Sequence, residues 1–360
     1  MIDWRSSMTQ TYEFYKVDPG TWKDKEQIFS ITSARISRDL ESDTLETASL
    51  ISTEIFGECY IRIYMVVIQN GIKERVPLGT CMTQTPSTNF NGKVQNVTTD
   101  AYSPLLELSD IQPPLGFTIM KNQNIMDNVC DLTEENLRAP IVRVSDVEDI
   151  LPIDFTAEAD ETWLDYISSL MAYSKHYYML DEMGRVLFAP SQSLSSLQPV
   201  WTYDDDNSSI LYPDISDDFD LYGIPNVVEV IYSGQDEVGN PLTLYATAVN
   251  DNPNSPVSTV SRGRKIVHRD TNPSINGIPD QAYLNMYTEQ LLDSLSSIQH
   301  TISYSHGYCP VRYGDCVRLN YERAGIKNIK AKVIRQDIDC VSGCKVTETA
   351  VYTANLWKEE

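Results

Sequence analysis

The chain has 360 residues, 41% of them hydrophobic, and a formal net charge of −23 from 51 acidic and 28 basic side chains. That length allows two or three domains, each with its own core. The charge balance speaks against a DNA or RNA groove, which needs a basic stripe, and against docking on anionic lipid.

No apolar run approaches the roughly eighteen residues of a membrane-crossing helix, so none is expected. The N-terminal MIDWRSSMTQTYEFYK lacks an apolar signal core, and the chain is expected to be made and to fold in a cytoplasm. Residues 1–27 are polar and aromatic, with a turn at Pro19-Gly20, and read as an arm. From residue 28 the pattern turns to strands. The strongest is 59–68 (CYIRIYMVVI), with Cys59, Ile61, Ile63, Met65 and Val67 on one face. Asn70-Gly71 is a strong hairpin signal. The return strand over 76–83 carries Pro77 and reads as an edge or a bulge. Asn91-Gly92 suggests a second hairpin leading into 93–101. Residues 28–115 are therefore expected to form an antiparallel β-sandwich or open barrel.

Residues 116–225 read as a helix-bearing middle region. One helix starts at Asn124, with Ile125, Val129, Leu132 and Asn136 on one face, and stops before Pro140. A linker or short strand covers 141–156. A second helix is capped by Asp160, with Glu161 in its first turn and Trp163, Ile167, Leu170, Met171 and Ser174 as its apolar stripe. The period then changes to two: 176–180 and 185–189 make a hairpin closed by DEMG, where Gly184 supplies a positive φ. Residues 190–225 are acidic, with Asp204, Asp205, Asp206, Asp214, Asp217, Asp218 and Asp220. A calcium loop could use such carboxylates, but the Gly and terminal Glu of that motif are missing, and a solvated loop is the preferred reading.

Residues 226–360 return to strands around one helix. Strands 227–232 and 242–249 are joined by an acidic turn. Arg262, Arg264, Lys265, His268 and Arg269 form the one basic cluster, read as an ion-paired contact to an acidic neighbour in preference to a phosphate site. The long helix 279–299 starts at Pro279 and presents Leu284, Tyr287, Leu291, Leu295 and Ile298. Strands are expected over 300–304, 316–321, 329–338 and 346–356.

Signatures of zinc proteases, serine hydrolases and nucleotide loops are missing from the sequence. The seven cysteines (Cys59, Cys81, Cys130, Cys309, Cys316, Cys340, Cys344) are an odd number at irregular spacing, expected to be mostly reduced and buried. Cys309, Cys316, Cys340 and Cys344 could hold zinc, since tetrahedral zinc takes four thiolates at turns. Buried cysteines, or a local disulfide, are the preferred reading. A Cys309–His306 nucleophile pair lacks an orienting third group. No catalytic residue and no cofactor are assigned, and the chain does not read as an enzyme.

Several stretches, in this order, carry a resemblance. They are PLGT at 77–80, TTDAYSPLLEL at 98–108, TWLDYISSLM at 162–171, GRVLFAP at 184–190 and HGYCPVRYGDCVRLNY at 306–321. Together they resemble the baseplate hub of tailed phages, the late-control-protein-D-like tail proteins whose hub core is shared with VgrG spikes. The resemblance implies an α+β, mostly β chain with two tube-type β-barrel or sandwich domains beside a helix-hairpin unit. It further implies a homotrimer forming a pseudo-sixfold ring between the tail tube or distal tail protein and a spike, fibre or tape-measure protein. The chain would then belong to the virion, with DNA passing an acidic lumen. A host-binding adhesin and a tail-associated wall hydrolase are the alternatives.

Overall fold

The computed structural model describes residues 2–90, 92–144, 147–275 and 277–357. Most of the secondary structure is extended. The first strands are β1 (Thr9–Asp18), β2 (Lys23–Ile28), β3 (Ile31–Asp39), β4 (Glu46–Ser52), β5 (Tyr60–Gln69), β6 (Ile72–Phe90) and β7 (Gln95–Tyr102). The middle holds α1 (Leu106–Asp110), β8 (Thr118–Ile119), α2 (Ile125–Asn136), β9 (Phe155–Thr156), α3 (Trp163–Tyr173), β10 (His176–Leu180) and β11 (Val186–Pro190). Then come β12 (Trp201–Asp204), β13 (Leu211–Phe219), β14 (Val227–Gln235), β15 (Pro241–Val249), α4 (Thr259–Arg262), β16 (Val267–Asp270) and α5 (Gln281–Leu295). The chain closes with β17 (Ser297–Gly307), β18 (Cys316–Tyr321), β19 (Ile326–Cys340) and β20 (Lys345–Asn355).

The chain divides into two compact units, the first from residues 1–215 with 303–350, the second from 216–302 with 351–360. In the first unit the N-terminal strands and the C-terminal strands make one sheet, in the order β17-β20-β19-β3-β4-β7-β6-β5-β1-β2. The join is β19 against β3, antiparallel from Arg335↔Asp39 to Cys340↔Ala34. The sheet curls around a core built from both ends of the chain, including Phe14, Ile36, Leu50, Ile61, Ile63, Met65, Leu78, Ile338 and Val346. The face of β5 expected inside is therefore inside. Its other face is covered as well, since Tyr60, Arg62, Tyr64 and Val66 are also buried.

Four expectations change. The stretch read as an arm, residues 1–27, supplies β1 and β2, and β1 pairs β5 from Thr9↔Ile68 to Lys16↔Ile61. Phe14 points into the core of the sheet, and Val17, past a bulge at Lys16/Val17, is buried in the core beneath the helix-hairpin unit. The return strand is far longer than 76–83 and lies between β5 and β7, so Pro77 marks a bulge rather than an edge: Ile63 faces Gly79 while Tyr64 faces Pro77. The α3 cap is Thr162, not Asp160: its hydroxyl accepts from Asp165 N at 3.2 Å, and Asp165 accepts from Thr162 N at 3.3 Å, a reciprocal capping box. The helix expected over 279–299 ends at Leu295, and Ile298 belongs to β17. The Asn91-Gly92 turn falls partly outside the described residues, because Asn91 is one of those not described; Gly92 has φ 88°. At Asn70-Gly71 both residues have positive φ, 51° and 78°, as a tight hairpin turn requires.

The second unit pairs β15-β14-β16, with β14 and β15 antiparallel over all nine positions. Helix α5, capped by Asp280, buries Leu284 and Leu292 against Val228, Val230, Ala246 and Ala248. Buried Asn226 anchors the loop before β16: its amide donates to the Val257 and Arg264 carbonyls, and its Oδ1 accepts from Ile266 N.

Candidate functional site

The helix-hairpin stretch is tied to the sheet through its turn. β10 and β11 pair in register from His176↔Pro190 to Leu180↔Val186. Their turn, 181–184, lies against the sheet. The Met183 carbonyl accepts from Trp22 Nε1 at 2.8 Å and from Arg62 Nη2 at 3.0 Å, and the Glu182 carbonyl accepts from Thr80 Oγ1 at 3.2 Å. Arg62 also ion-pairs with Asp24 at 2.8 Å. Gly184 has φ 72°, and a Cβ there would stand 2.8 Å from Thr80 Cβ. Glycine meets both demands, of backbone and of space. Behind the turn a second core is filled by Val129 and Leu132 of α2, Trp163, Tyr166, Ile167 and Leu170 of α3, and Tyr178 and Phe188 of the hairpin.

Inside the curled sheet runs a row of buried polar side chains across five adjacent strands. His306 of β17, Glu348 of β20, Gln336 of β19, Arg38 of β3 and Glu46 of β4 are all at most 3% exposed. His306 Nδ1 donates to the Gly307 carbonyl at 2.7 Å, and Nε2 lies 3.0 Å from the Tyr203 hydroxyl and 3.3 Å from Glu348 Oε1. Glu348 accepts from Tyr304 OH at 2.7 Å, Tyr203 OH at 3.2 Å and Gln336 Nε2 at 2.8 Å. Arg38 donates to Gln336 Oε1 at 2.9 Å, to Glu46 Oε2 at 2.8 Å and to the Leu78 carbonyl across the core. Every member is hydrogen-bonded within the row, the condition under which a buried polar network can specify one register.

The charge states follow. Burial works against a charged His306, but Glu348 opposes it and the imidazole is pushed up to about 10. Burial likewise works against the Glu348 carboxylate, while His306 and the hydrogen bonds from Tyr304 and Gln336 hold it below the ordinary range. Burial pushes Glu46 up despite Arg38 beside it. A histidine whose folded value exceeds its unfolded value of about 6.5 adds stability below that pH and loses it as pH rises. The His306 contribution should therefore fade between about pH 6.5 and 10. Urea midpoints measured across that window should fall, and the double variant His306→Gln/Glu348→Gln should flatten the slope.

The cysteines proposed for zinc are not gathered. Cys309 lies 3.3 Å from the Tyr203 hydroxyl, beside His306; Cys316 contacts the Val317 carbonyl from β18; Cys340 and Cys344 flank a turn near Tyr12. All four are free thiols, and among the described residues no three His, Cys, Asp or Glu side chains are placed to hold a metal. The Cys309 Sγ–His306 Nδ1 distance is 3.9 Å, but both groups are buried and that nitrogen already serves Gly307, so the pair is part of the network.

No protein-family model and no curated protein sequence matches the chain. Solved structures do. A tail protein from Neisseria meningitidis MC58 superposes with a TM-score of 0.59 at 11% identity, over 96% of this chain and 98% of that one. The 43 kDa tail protein of prophage MuSo2 from Shewanella oneidensis gives 0.56 at 12% identity, over 95% and 98%. This chain has the fold of those tail proteins. The resemblance read from the sequence is thus matched in three dimensions. The Francisella PdpA-VgrG complex, in its lidded form, carries the same fold at a TM-score of 0.54 and 9% identity; it covers 99% of this chain and 54% of that one.

On this tail-protein fold the acidic segment 190–225 is not a loop. It holds β12 and β13, and its carboxylates are spent singly: Asp205 pairs with Arg323, Asp204 lies 3.8 Å from Arg5, Asp206 accepts from Ser208 N, and Asp217 lies 3.0 Å from His300 Nδ1. Among the described residues no three His, Cys, Asp or Glu side chains are placed to hold a metal, so the calcium reading finds no support. In the basic cluster Arg262 donates to the Leu221 and Ile224 carbonyls, and Arg269 pairs with Glu229 at 2.6 Å. Those two arginines serve the second unit itself. Of the network only His306 was singled out from sequence; the others were missed, although they sit at inward positions of their strands: Arg38 in phase with Ala34 and Ile36, Glu46 with Ala48 and Leu50, Glu348 with Val346 and Ala350.

Proposed function

We propose that the chain is a structural hub of a phage baseplate or tail tip. Three copies form a pseudo-sixfold ring between a hexameric tail tube and a threefold spike or fibre, and DNA passes through it. The observation that carries this reading is the near end-to-end likeness to the Neisseria tail protein, over 96% of one chain and 98% of the other. The interior supports it too, because the curled sheet is filled by its own side chains and a fully satisfied polar network, as a rigid building block requires. The net charge of −23 would line the ring with carboxylates that repel the DNA backbone. Two tube-type modules over 28–115 and 226–360 belong to this proposal, with residues 1–27 joined to the first of them through β1 and β2. The likeness to the Francisella complex favours a second reading, a secretion spike component, in which a longer chain would carry the same fold. Antibody against this chain should decorate the tail end of particles in electron micrographs. Decoration of fibres or heads, or none on tails, would contradict the hub.

A further inference from the structure

We propose that the outward face of the β18–β19 hairpin is the cationic half of a subunit contact and receives a carboxylate-bearing surface of a second copy of this chain, an inference that rests on the ring of the hub reading. Segment 318–332 holds five of the chain's 28 basic residues and one of its 51 acidic ones. The strands gather three of those cations on one face: Arg318 lies directly opposite Lys330, and Lys332 opposite Cys316. All three are half-exposed. Facing residues of paired strands stand about 5 Å apart at Cβ and diagonal ones about 7–8 Å, so the three charges share a patch about 10 Å across. Like charges directly opposite weaken a sheet. The groups around these three leave that repulsion standing. Arg318 Nη1 donates to Asn328 Oδ1 at 2.9 Å, Lys330 Nζ donates to the Ser195 carbonyl at 3.1 Å, and Lys332 Nζ stands 5.4 Å from the centre of the Tyr177 ring. Each of those partners is neutral. Among the described residues no carboxylate is within ion-pair distance of the three. Carboxylates on the neighbouring β12 side serve other cations: Asp204, paired with Asn320, lies 3.8 Å from Arg5, and Asp205 takes Arg323.

Charge and symmetry name the occupant. Duplex DNA calls for a basic stripe that follows its backbone, whereas this patch is small and has Asp204 on the adjoining strand of a chain with net charge −23. An acidic protein surface has only to match the patch itself, and a second copy is acidic by 51 residues to 28. The patch cannot face itself across a two-fold axis, because that would set cation on cation. The contact is therefore heterologous, the kind that closes a ring when the rotation fits.

The test is carbodiimide coupling, which joins a lysine amine directly to a carboxylate, in a mixture of isotopically light and heavy full-length chains. Lys330 or Lys332 should appear in light-to-heavy cross-links to peptides carrying Asp or Glu. The variant Lys330→Gln/Lys332→Gln should weaken self-association at least about tenfold in sedimentation, while its urea midpoint stays level or rises because the cross-strand repulsion is gone. Wild-type association should weaken as salt rises from about 0.05 to 0.5 M. Cross-links from these lysines confined to one chain, or association unchanged in the variant, overturn the contact. Duplex DNA binding that the variant abolishes overturns it too, by giving the patch to phosphate. A ring that survives in the variant leaves the hub standing; a wild-type chain that never associates removes both.

Discussion

Arg38→Met should lower the stability of the first unit by about 3–5 kcal/mol, because it strands Glu46 in the core without its cation. Glu46 would keep only the Cys81 thiol, 3.5 Å away, and Gln336 Oε1 and the Leu78 carbonyl would each lose a donor. Urea unfolding followed by tryptophan fluorescence measures the loss. The pair itself is a weaker stabiliser than its breakage suggests. Arg38→Met/Glu46→Leu should recover most of the loss, since two apolar groups of similar volume leave one fewer buried charge to satisfy. A single variant no less stable than the wild type would mean that the network is wet, and not the sealed row described above.

Gly184→Ala should cost about 2–5 kcal/mol, combining about 1–2 for a left-handed residue with about 1–3 for overpacking. The added Cβ meets Thr80 Cβ at 2.8 Å and Trp22 at 3.2 Å, and neither can withdraw without loosening the contacts that hold the turn on the sheet. Gly71→Ala is the control: its φ is 78°, but nothing lies within 4 Å, so only the backbone part remains. Equal losses in the two variants would show that the turn is not tightly seated.

The legible parts were local. Alternation in β5, the Asn70-Gly71 turn, the DEMG turn with Gly184, and the helix beginning at Asn124 each state their conformation within a few residues. The resemblance reached further, since its short stretches at 162–171, 184–190 and 306–321 are the pieces that meet around the hairpin and the polar row. Hidden parts depend on distance along the chain. Arg38 and Gln336 are 298 residues apart, and nothing near either says that an inward-phased charge will find its partner on a strand from the far end. The first 27 residues looked like an arm because β1 is polar on one face, and only its pairing with β5 gives the apolar face a purpose. Thr162 lost to Asp160 because both are good caps, and the choice turns on the reciprocal bond from Asp165. At the end of α5 the apolar stripe continues into β17, where Ile298 is buried, so periodicity alone overran the helix.

Native mass spectrometry of the purified chain tests the central claim most directly. The hub ring predicts a species at three times the 40.7 kDa chain mass, with no larger stoichiometry growing in as concentration rises. A chain that remains at 40.7 kDa, alone and when mixed with the tail-tube protein of the same particle, would contradict it.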